Sequence, residues 1–462
     1  MSKRWNGNGW VLTMTNETLN IAVVGHTNTG KTSLLRTLLR DEAFGEVKNA
    51  TATTRHVEAA EISHQNQVLV KLFDTPGLED AGGVLDWLEQ HTSSRSDGIE
   101  RVQQLLQADV AQHEFSQEAK VLRQVLASDV GVYVIDAREP VLAKYKDELT
   151  VLSWCAKPVM PVFNFTAQGD AEAWYEMLAR RGLHVHSQFD TVAFDFDGEM
   201  QMWKQLDILL NRKPVLEQLQ TVRTLEWQAL QDTAWSLMAN FLLELAAFVE
   251  TIKDEDAVEP VLAQMQNKVR QRERHFQQDL LQAFRFYQQA DLPADWMPKA
   301  FSQDPFDPEL LKQFGLRTST GAAVGALLGL GVDAATAGLS GGMGMALGGV
   351  LGGVLSNMGS LSDKLNGVKT IHIDPATITL LATRAQALIL ALLQRGHAAQ
   401  QALSLQAADV IWPNSNLPSP LRRARSHEEW SALNGVKEAK AHANRREAAQ
   451  ELQQKLSRPL SS

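Results

Sequence analysis

Short apolar runs alternate with helix-period segments in the first half of the chain, and helix-period segments alone follow. Ile21-Ala22-Val23-Val24, Val68-Leu69-Val70-Lys71-Leu72-Phe73, Val130-Gly131-Val132-Tyr133-Val134-Ile135-Asp136 and Val159-Met160-Pro161-Val162-Phe163-Asn164 have strand length. The second runs into Asp74, and the last two end at Asp136 and Asn164, as strands do before a loop. Thr191-Val192-Ala193-Phe194-Asp195-Phe196 reads as a last strand, with its loop at Asp197-Gly198. Ser33-Leu34-Leu35-Arg36-Thr37-Leu38-Leu39 reads as a helix. Strands alternating with helices predict an α/β domain with a doubly wound, mostly parallel sheet over 18–213, after an N-terminal extension 1–17. Val84, Leu85, Leu88, then Val102, Leu105, Leu106, then Val121, Leu122, Val125 fall at i, i+3, i+4 spacing, which predicts a helical insertion over about 82–128.

From Pro214 the strand pattern fades. Leu225, Trp227, Leu230, Trp235, Leu237, Met238, Phe241, Leu242, Leu245 and Phe248 make one helical pattern, and residues 256–290 another, in a helical region spanning 214–316. Pro293, Pro298, Pro305 and Pro308 break it. Over 317–362 the composition changes: Thr318 to Val332 and Ala334 to Met358 carry no charge, and thirteen glycines fall between Gly321 and Gly359. Gly321, Gly325, Gly329 and Gly344, Gly348, Gly352 recur every four residues, a spacing that lets two helices approach closely. The expectation is a hydrophobic hairpin turning at Gly338 to Gly342, its helices slightly short of the ~30 Å hydrocarbon core. Asp333 opposes a lipid-inserted reading, and a tight hairpin inside a helical domain is the competing one. In the region 363–415, Ile373 to Ala408 reads as a helix entered at Asp374-Pro375. The tail 416–462 is basic, with Arg422, Arg423, Arg425, Arg445 and Arg446. It reads as a solvated helix, or as a surface for anionic lipid or RNA.

The chain has 462 residues, 44% of them hydrophobic and 21% charged, enough for two or three domains with real cores. A net charge of -10 argues against a nucleic-acid partner held by bulk charge. One cysteine, Cys155, excludes an internal disulfide and a cysteine cage for metal; its apolar context predicts a small buried residue. Residues 1–16 have no apolar stretch of signal-peptide length, so the expectation is cytoplasmic, with attachment to the inner face of the cell membrane as the further option. His113-Glu114 opens like a zinc-protease helix, but Gln117 stands where the second histidine belongs.

Chemistry enters at residues 25–32, Gly-His-Thr-Asn-Thr-Gly-Lys-Thr, between a predicted strand and a predicted helix. This is G-x-x-x-x-G-K-[ST] in the context that makes it a phosphate-binding loop. Gly25, Asn28, Thr29, Gly30, Lys31, Thr32 and Ser33 are the candidate ligand-binding residues, because backbone N–H groups here and at the helix N-terminus aim at phosphate oxygens. Lys31 reaches the β- and γ-phosphates and the Thr32 hydroxyl ligates Mg²⁺. Asp74-Thr75-Pro76-Gly77 ends a strand, so Asp74 can hold Mg²⁺ through water and the Gly77 amide can meet the γ-phosphate. Between them, Thr54 is the candidate to complete the Mg²⁺ shell and act with Lys31 in catalysis, with Thr53 as the alternative.

GHTNTGKTS, TTRH and LFDTPGL, in this order, make residues 18–213 resemble the Era/TrmE branch of the translation-factor-type small GTPases. The full chain resembles bacterial Era-like GTPases with a C-terminal domain of unknown function. The resemblance implies a P-loop GTPase fold, GTP as ligand, Mg²⁺ as cofactor and hydrolysis. It implies that Asn28 helps to hold K⁺ against the phosphates, as in potassium-stimulated members. Leu78 stands where Ras-like enzymes carry the water-orienting glutamine. The base-recognition motif departs from the family: Asn164-Phe165-Thr166-Ala167 lacks the aspartate of Asn-Lys-x-Asp, so Asn164 alone remains a candidate for the base edge, with Asp170 as a substitute carboxylate. The implied function is a nucleotide switch coupled to a helical domain, with lipid at 318–358, an effector protein and a second copy as candidate partners. The alternatives are a nucleotide-gated scaffold, or a membrane-remodelling assembly with little hydrolysis. The helical insertion is then either a nucleotide-controlled contact surface or a cover for the sheet.

Overall fold

The computed structural model describes residues 4–5, 10–11, 17–41, 44, 57–166, 169, 171–211, 213–252, 258–284, 304–307, 310–311, 314, 330–333, 369–395 and 410–457. Thr53, Thr54, Asp170 and all of 318–358 except 330–333 lie outside them. The chain divides into two compact units, Met1–Trp227 with Leu393–Gln400, and Gln228–Leu392 with Gln401–Ser462.

The first unit is built on a six-stranded sheet. Its strands are β1 (Leu19–Val24), β2 (Glu58–His64), β3 (Gln67–Asp74), β4 (Val130–Asp136), β5 (Val159–Asn164) and β6 (Ser187–Gln188), in the order β2-β3-β1-β4-β5-β6. Every pairing is parallel except β2 with β3. That hairpin turns through Gln65 (φ 48) and Asn66 (φ 64), the left-handed pair that a tight two-residue hairpin needs. β4 and β5 are buried at every position, as strands covered on both faces must be, whereas the edge strand β2 alternates.

Helix α1 (Lys31–Leu39), α7 (Phe196–Leu209) and the start of α8 (Pro214–Ala247) cover one face, burying Leu34, Leu35, Leu38, Trp203, Leu206, Leu216 and Leu219. The first turns of α8 are thus part of this core, and this unit runs on to Trp227. The other face carries α2 (Ala81–His91), α3 (Gly98–Gln107), α4 (Ser116–Ala127), α5 (Ala143–Ser153) and α6 (Glu172–Ala179). Val84, Leu88, Val102, Leu105, Val121, Leu122 and Val125 are all fully buried there. The helices inserted between Gly77 and β4 therefore wall the sheet with their apolar stripes. Cys155 lies in the same core, and burial pushes its thiol up to about 12.

One expectation is corrected here. Residues 191–196 are not a strand: the last strand is Ser187–Gln188, Thr191 lies in the loop after it, and Asp195 caps α7 through the N–H groups of Asp197 and Gly198. An aspartate one residue ahead of a helical pattern is a stronger start signal than a short apolar run is a strand signal.

The second unit packs the rest of α8 with α9 (Val258–Ala283) and α10 (Pro375–Leu393), and Phe241 stacks on Phe276 at 4.6 Å. Beside them is an antiparallel sheet in the order β8 (Leu330–Asp333), β9 (Lys369–Ile373), β7 (Val249–Ile252). β8 corrects the expectation of a helical hairpin at 330–333, because Leu330–Asp333 pairs antiparallel with β9. Ile373 likewise ends β9, and α10 starts after Asp374, whose carboxylate accepts the Ala376 N–H at 2.8 Å. α10 is long and apolar enough to cross a membrane, with mean hydropathy 1.7, yet 78% of that window is buried inside the protein.

The expected solvated basic tail is also corrected. Leu421, Trp430, Leu452 and Leu456, from α11 (Ser419–Ala424), α12 (Ala443–Ser457) and the turn between them, are buried. Arg445 is only 1% exposed; it donates to Asn240 Oδ1 at 2.8 Å and Trp430 O at 2.9 Å, with Glu244 3.8 Å away. Arg423 pairs with Glu451, and Arg425 donates to Ile373 O. These arginines are spent on internal partners.

Candidate phosphate-binding and base-binding site

The C-terminal ends of β1, β3, β4 and β5 meet at one edge of the first unit, the crevice where open parallel sheets bind ligands. β1 leaves the sheet at Val24 and the chain curls through Gly25 (φ 140), Asn28 (φ 65) and Gly30 (φ 91) into α1. Gly30 is the helix N-cap and makes no side-chain capping bond, so the first turn presents its N–H groups to the loop. A Cβ at Gly30 would sit 2.2 Å from Asn164 Nδ2, in a left-handed conformation that side chains rarely adopt. Ser33 lies in that same first turn.

Lys31 is 7% exposed and folds back over the loop, its ammonium donating to Gly25 O at 3.1 Å and His26 O at 2.7 Å. Burial pulls its pKa down from 10.5 to about 8, against the opposing pull of Asp74, Glu148 and Glu79. Thr32 Oγ1 donates to Asp74 Oδ2 at 2.5 Å, and Asp74 is 1% exposed at the last position of β3. A hydroxyl and a carboxylate paired this closely are the hard oxygen donors that suit Mg²⁺. Gly77 presses against the loop so tightly that a Cβ there would lie 2.1 Å from Thr27 Oγ1. Thr27 also donates to Glu79 Oε1 at 2.7 Å, and Leu78 N donates to Gly25 O at 3.3 Å. Thr29 is buried and donates to His26 O.

Asn164 ends β5, fully buried. Its amide donates to Thr29 O at 3.1 Å, and its Oδ1 accepts from Phe165 N at 2.9 Å and from Thr191 N and Oγ1, both at 3.0 Å. It therefore joins the phosphate loop to the loop after β6. Phe165 takes a left-handed φ of 56, and the Arg138 guanidinium lies 4.0 Å from its ring centroid, held by Asp136 at 2.7 and 2.9 Å. Next to this junction is a cavity of ≈ 540 Å³ whose lining includes Ala137, Thr166, Gly169, Glu172, Asp190 and Ala193.

Gly25, Asn28, Thr29, Gly30, Lys31, Thr32, Ser33, Asp74, Gly77 and Asn164 thus come together at one edge of the sheet. Four participants escaped the sequence reading. His26 Nδ1 lies 2.8 Å from Glu148 Oε1 and 3.1 Å from Leu78 O; Glu148 is fully buried and takes the Tyr133 hydroxyl at 2.7 Å. Thr191 completes the set. Only Glu148 left a trace in the sequence, as a charge on the apolar face of α5 between Tyr145 and Leu152. Among the described residues no cluster of His, Cys, Asp or Glu could hold a metal ion by itself.

The sequence model of a domain of unknown function, DUF3482, matches residues 175–454, and that of the 50S ribosome-binding GTPase matches residues 20–165. The GTPase Der of Desulfitobacterium hafniense is 38% identical over 80 residues, 17% of this chain and 18% of its own. The GTPase Era of Campylobacter jejuni is 31% identical over 78 residues, 17% of this chain and 26% of its own. The chain thus spans about a quarter or less of these curated relatives. Aquifex aeolicus Era bound to GDP·AlF4⁻ aligns at 15% identity and TM-score 0.26, covering 57% of this chain and 88% of that one. The G domain of the T. maritima FeoB iron transporter aligns at 16% identity and TM-score 0.24, covering 42% and 97%. Structural likeness this slight informs nothing about function.

Proposed function

We propose that this chain, which belongs to the DUF3482 family and carries a P-loop GTPase domain ahead of that family's helical domain, is a Mg²⁺-dependent GTP switch that hydrolyses its ligand. The observation that carries the reading is the 2.5 Å contact between Thr32 and Asp74 beside a lysine folded over its own loop. In this reading the Lys31 ammonium exchanges the carbonyls of Gly25 and His26 for β- and γ-phosphate oxygens. Thr32 and Thr54 would hold Mg²⁺ through their hydroxyls, and the Asp74 carboxylate would support it from the end of β3. The Gly77 amide would meet the γ-phosphate, with no room for a side chain there because a Cβ would strike Thr27. When bound, Mg²⁺ would neutralise charge on the triphosphate.

Leu78 is fully buried, so no polar side chain at that position orients the attacking water. Asn28, left-handed and exposed at the crest of the loop, is the residue we assign to K⁺, which would substitute for the missing polar group. The buried Leu78 also favours the second reading, a scaffold that binds nucleotide and barely hydrolyses it. Phosphate release from GTP by the purified full chain, in Mg²⁺ with K⁺, separates the two. Sustained turnover supports the switch, and tight binding without turnover supports the scaffold.

The glycine-rich segment 318–358 is our candidate for attachment to lipid at the inner face of the cell membrane. Deleting 334–358 leaves β8 in place and should move the protein from sedimenting with liposomes to the supernatant. An intact protein that never sediments would make the segment structural.

A further inference from the structure

Three carboxylates act on the Lys31 ammonium, the group proposed above for the β- and γ-phosphates: Asp74, Glu148 and Glu79. Asp74 takes the Thr32 hydroxyl, and Glu148 is fully buried against His26 and the Tyr133 hydroxyl. Glu79 is exposed and reaches the loop through Thr27, whose hydroxyl donates to its Oε1 at 2.7 Å. We propose that Glu79 sets the choice between guanosine di- and triphosphate, its carboxylate opposing the γ-phosphate and leaving Thr27 when the triphosphate binds; this rests on the nucleotide-binding reading above.

Two contacts put Glu79 at the γ-phosphate end of the loop. A Cβ at Gly77, whose amide is proposed to meet the γ-phosphate, would lie 2.1 Å from Thr27 Oγ1 and 2.8 Å from Thr27 N. The same Oγ1 holds the Glu79 carboxylate. The carboxylate, the Thr27 hydroxyl, the Gly77 amide and the Lys31 ammonium thus share one neighbourhood. A diphosphate leaves the contact between Thr27 and Glu79 in place. A γ-phosphate brings further negative charge beside it, and like charges at this range repel even where solvent screens them. Part of the binding energy of the triphosphate then goes into displacing Glu79, which narrows its advantage over the diphosphate.

The residues on either side of Glu79 do not take this part. Leu78 is tied to the loop through its backbone, its N–H donating to Gly25 O and its carbonyl lying 3.1 Å from His26 Nδ1. Asp80 is engaged by the helical insertion. Its Oδ1 accepts the Gly83 N–H at 2.8 Å, and its own N–H donates to Glu118 Oε1 at 3.1 Å.

Equilibrium binding of GDP and of the non-hydrolysable β,γ-imido analogue of GTP to the full chain, in Mg²⁺, is the test. Glu79→Gln keeps an acceptor for Thr27 and removes the charge at an exposed position, so the fold should persist. It should raise affinity for the analogue about tenfold and leave GDP within about twofold, shifting the ratio of the two. Glu89→Gln, which neutralises an exposed acid farther along α2, should leave the ratio unchanged, separating a local effect from net charge. If E79Q keeps the wild-type ratio or moves it toward GDP, or if E89Q moves it as far, Glu79 does not set the choice. If the wild type binds neither nucleotide, the nucleotide reading itself fails, whatever Glu79 does.

Discussion

The side-chain amide of Asn164 donates to the carbonyl oxygen of Thr29 at 3.1 Å, tying the end of β5 to a loop 135 residues earlier in the chain. The same side chain holds Thr191 by its N–H and hydroxyl. One buried amide thus fixes three segments of the candidate site, and a low-dielectric network of this kind is costly to break.

Asn164→Ala should therefore destabilise the first unit by roughly 2–4 kcal/mol, since Thr29 O and both Thr191 donors lose a buried partner. Nucleotide affinity should fall with it. A chemical denaturation midpoint equal to wild type would mean that the junction is loose in solution.

Lys31 gives a pH dependence with a definite sign. Its folded pKa is about 8 against an ordinary 10.5, so between these values the unfolded chain binds more protons than the folded one. Stability of the nucleotide-free protein should rise with pH across that window, and Lys31→Met should flatten the rise. Nucleotide affinity should move the other way above pH 8, as the loop loses the cation that meets the phosphates. Paired melting and binding curves from pH 7 to 10.5 check both signs; parallel curves would contradict the assignment.

Replacing Na⁺ by K⁺ should raise GTP turnover several-fold, and Asn28→Ala should abolish the gain without abolishing binding. Hydrolysis indifferent to the cation would remove K⁺ from the account.

Arg445 should behave as a core residue despite its charge. Arg445→Met strips a fully buried partner from Asn240 and Trp430 O and leaves Glu244 with Arg272 alone, so a loss of about 3–5 kcal/mol in the second unit is expected. Its exposed neighbour Arg446 changed to Ala should cost less than about 0.5 kcal/mol. Equal effects would restore the picture of a solvated tail.

The contrast between Arg445 and the phosphate loop marks where the sequence could be read. Residues 25–32 and 74–77 announce themselves because their chemistry is local: glycines, a lysine and hydroxyls at fixed spacing between a strand and a helix. Asn164 and the parallel strands were legible for the same reason. His26 with Glu148, the Asn164–Thr191 bond and the Arg445–Asn240 bond depend on residues brought together from 27 to 205 positions apart. No local pattern encodes such pairs. The strand at Leu330–Asp333 was hidden because its partner Lys369–Ile373 outweighs the helix-like glycine spacing. Residues 191–196 resemble a strand because their run is short and apolar, but Asp195 caps α7 and starts the helix at Phe196.

The claim on which the rest depends is that the loop at 25–32 grips a nucleoside triphosphate, and equilibrium binding of GTP to purified full chain and to Lys31→Ala, with Mg²⁺, tests it most directly. The account predicts saturable binding by the wild type, displaced by excess GTP and lost in the variant. Equal affinity in both proteins, or none in the wild type, would contradict it.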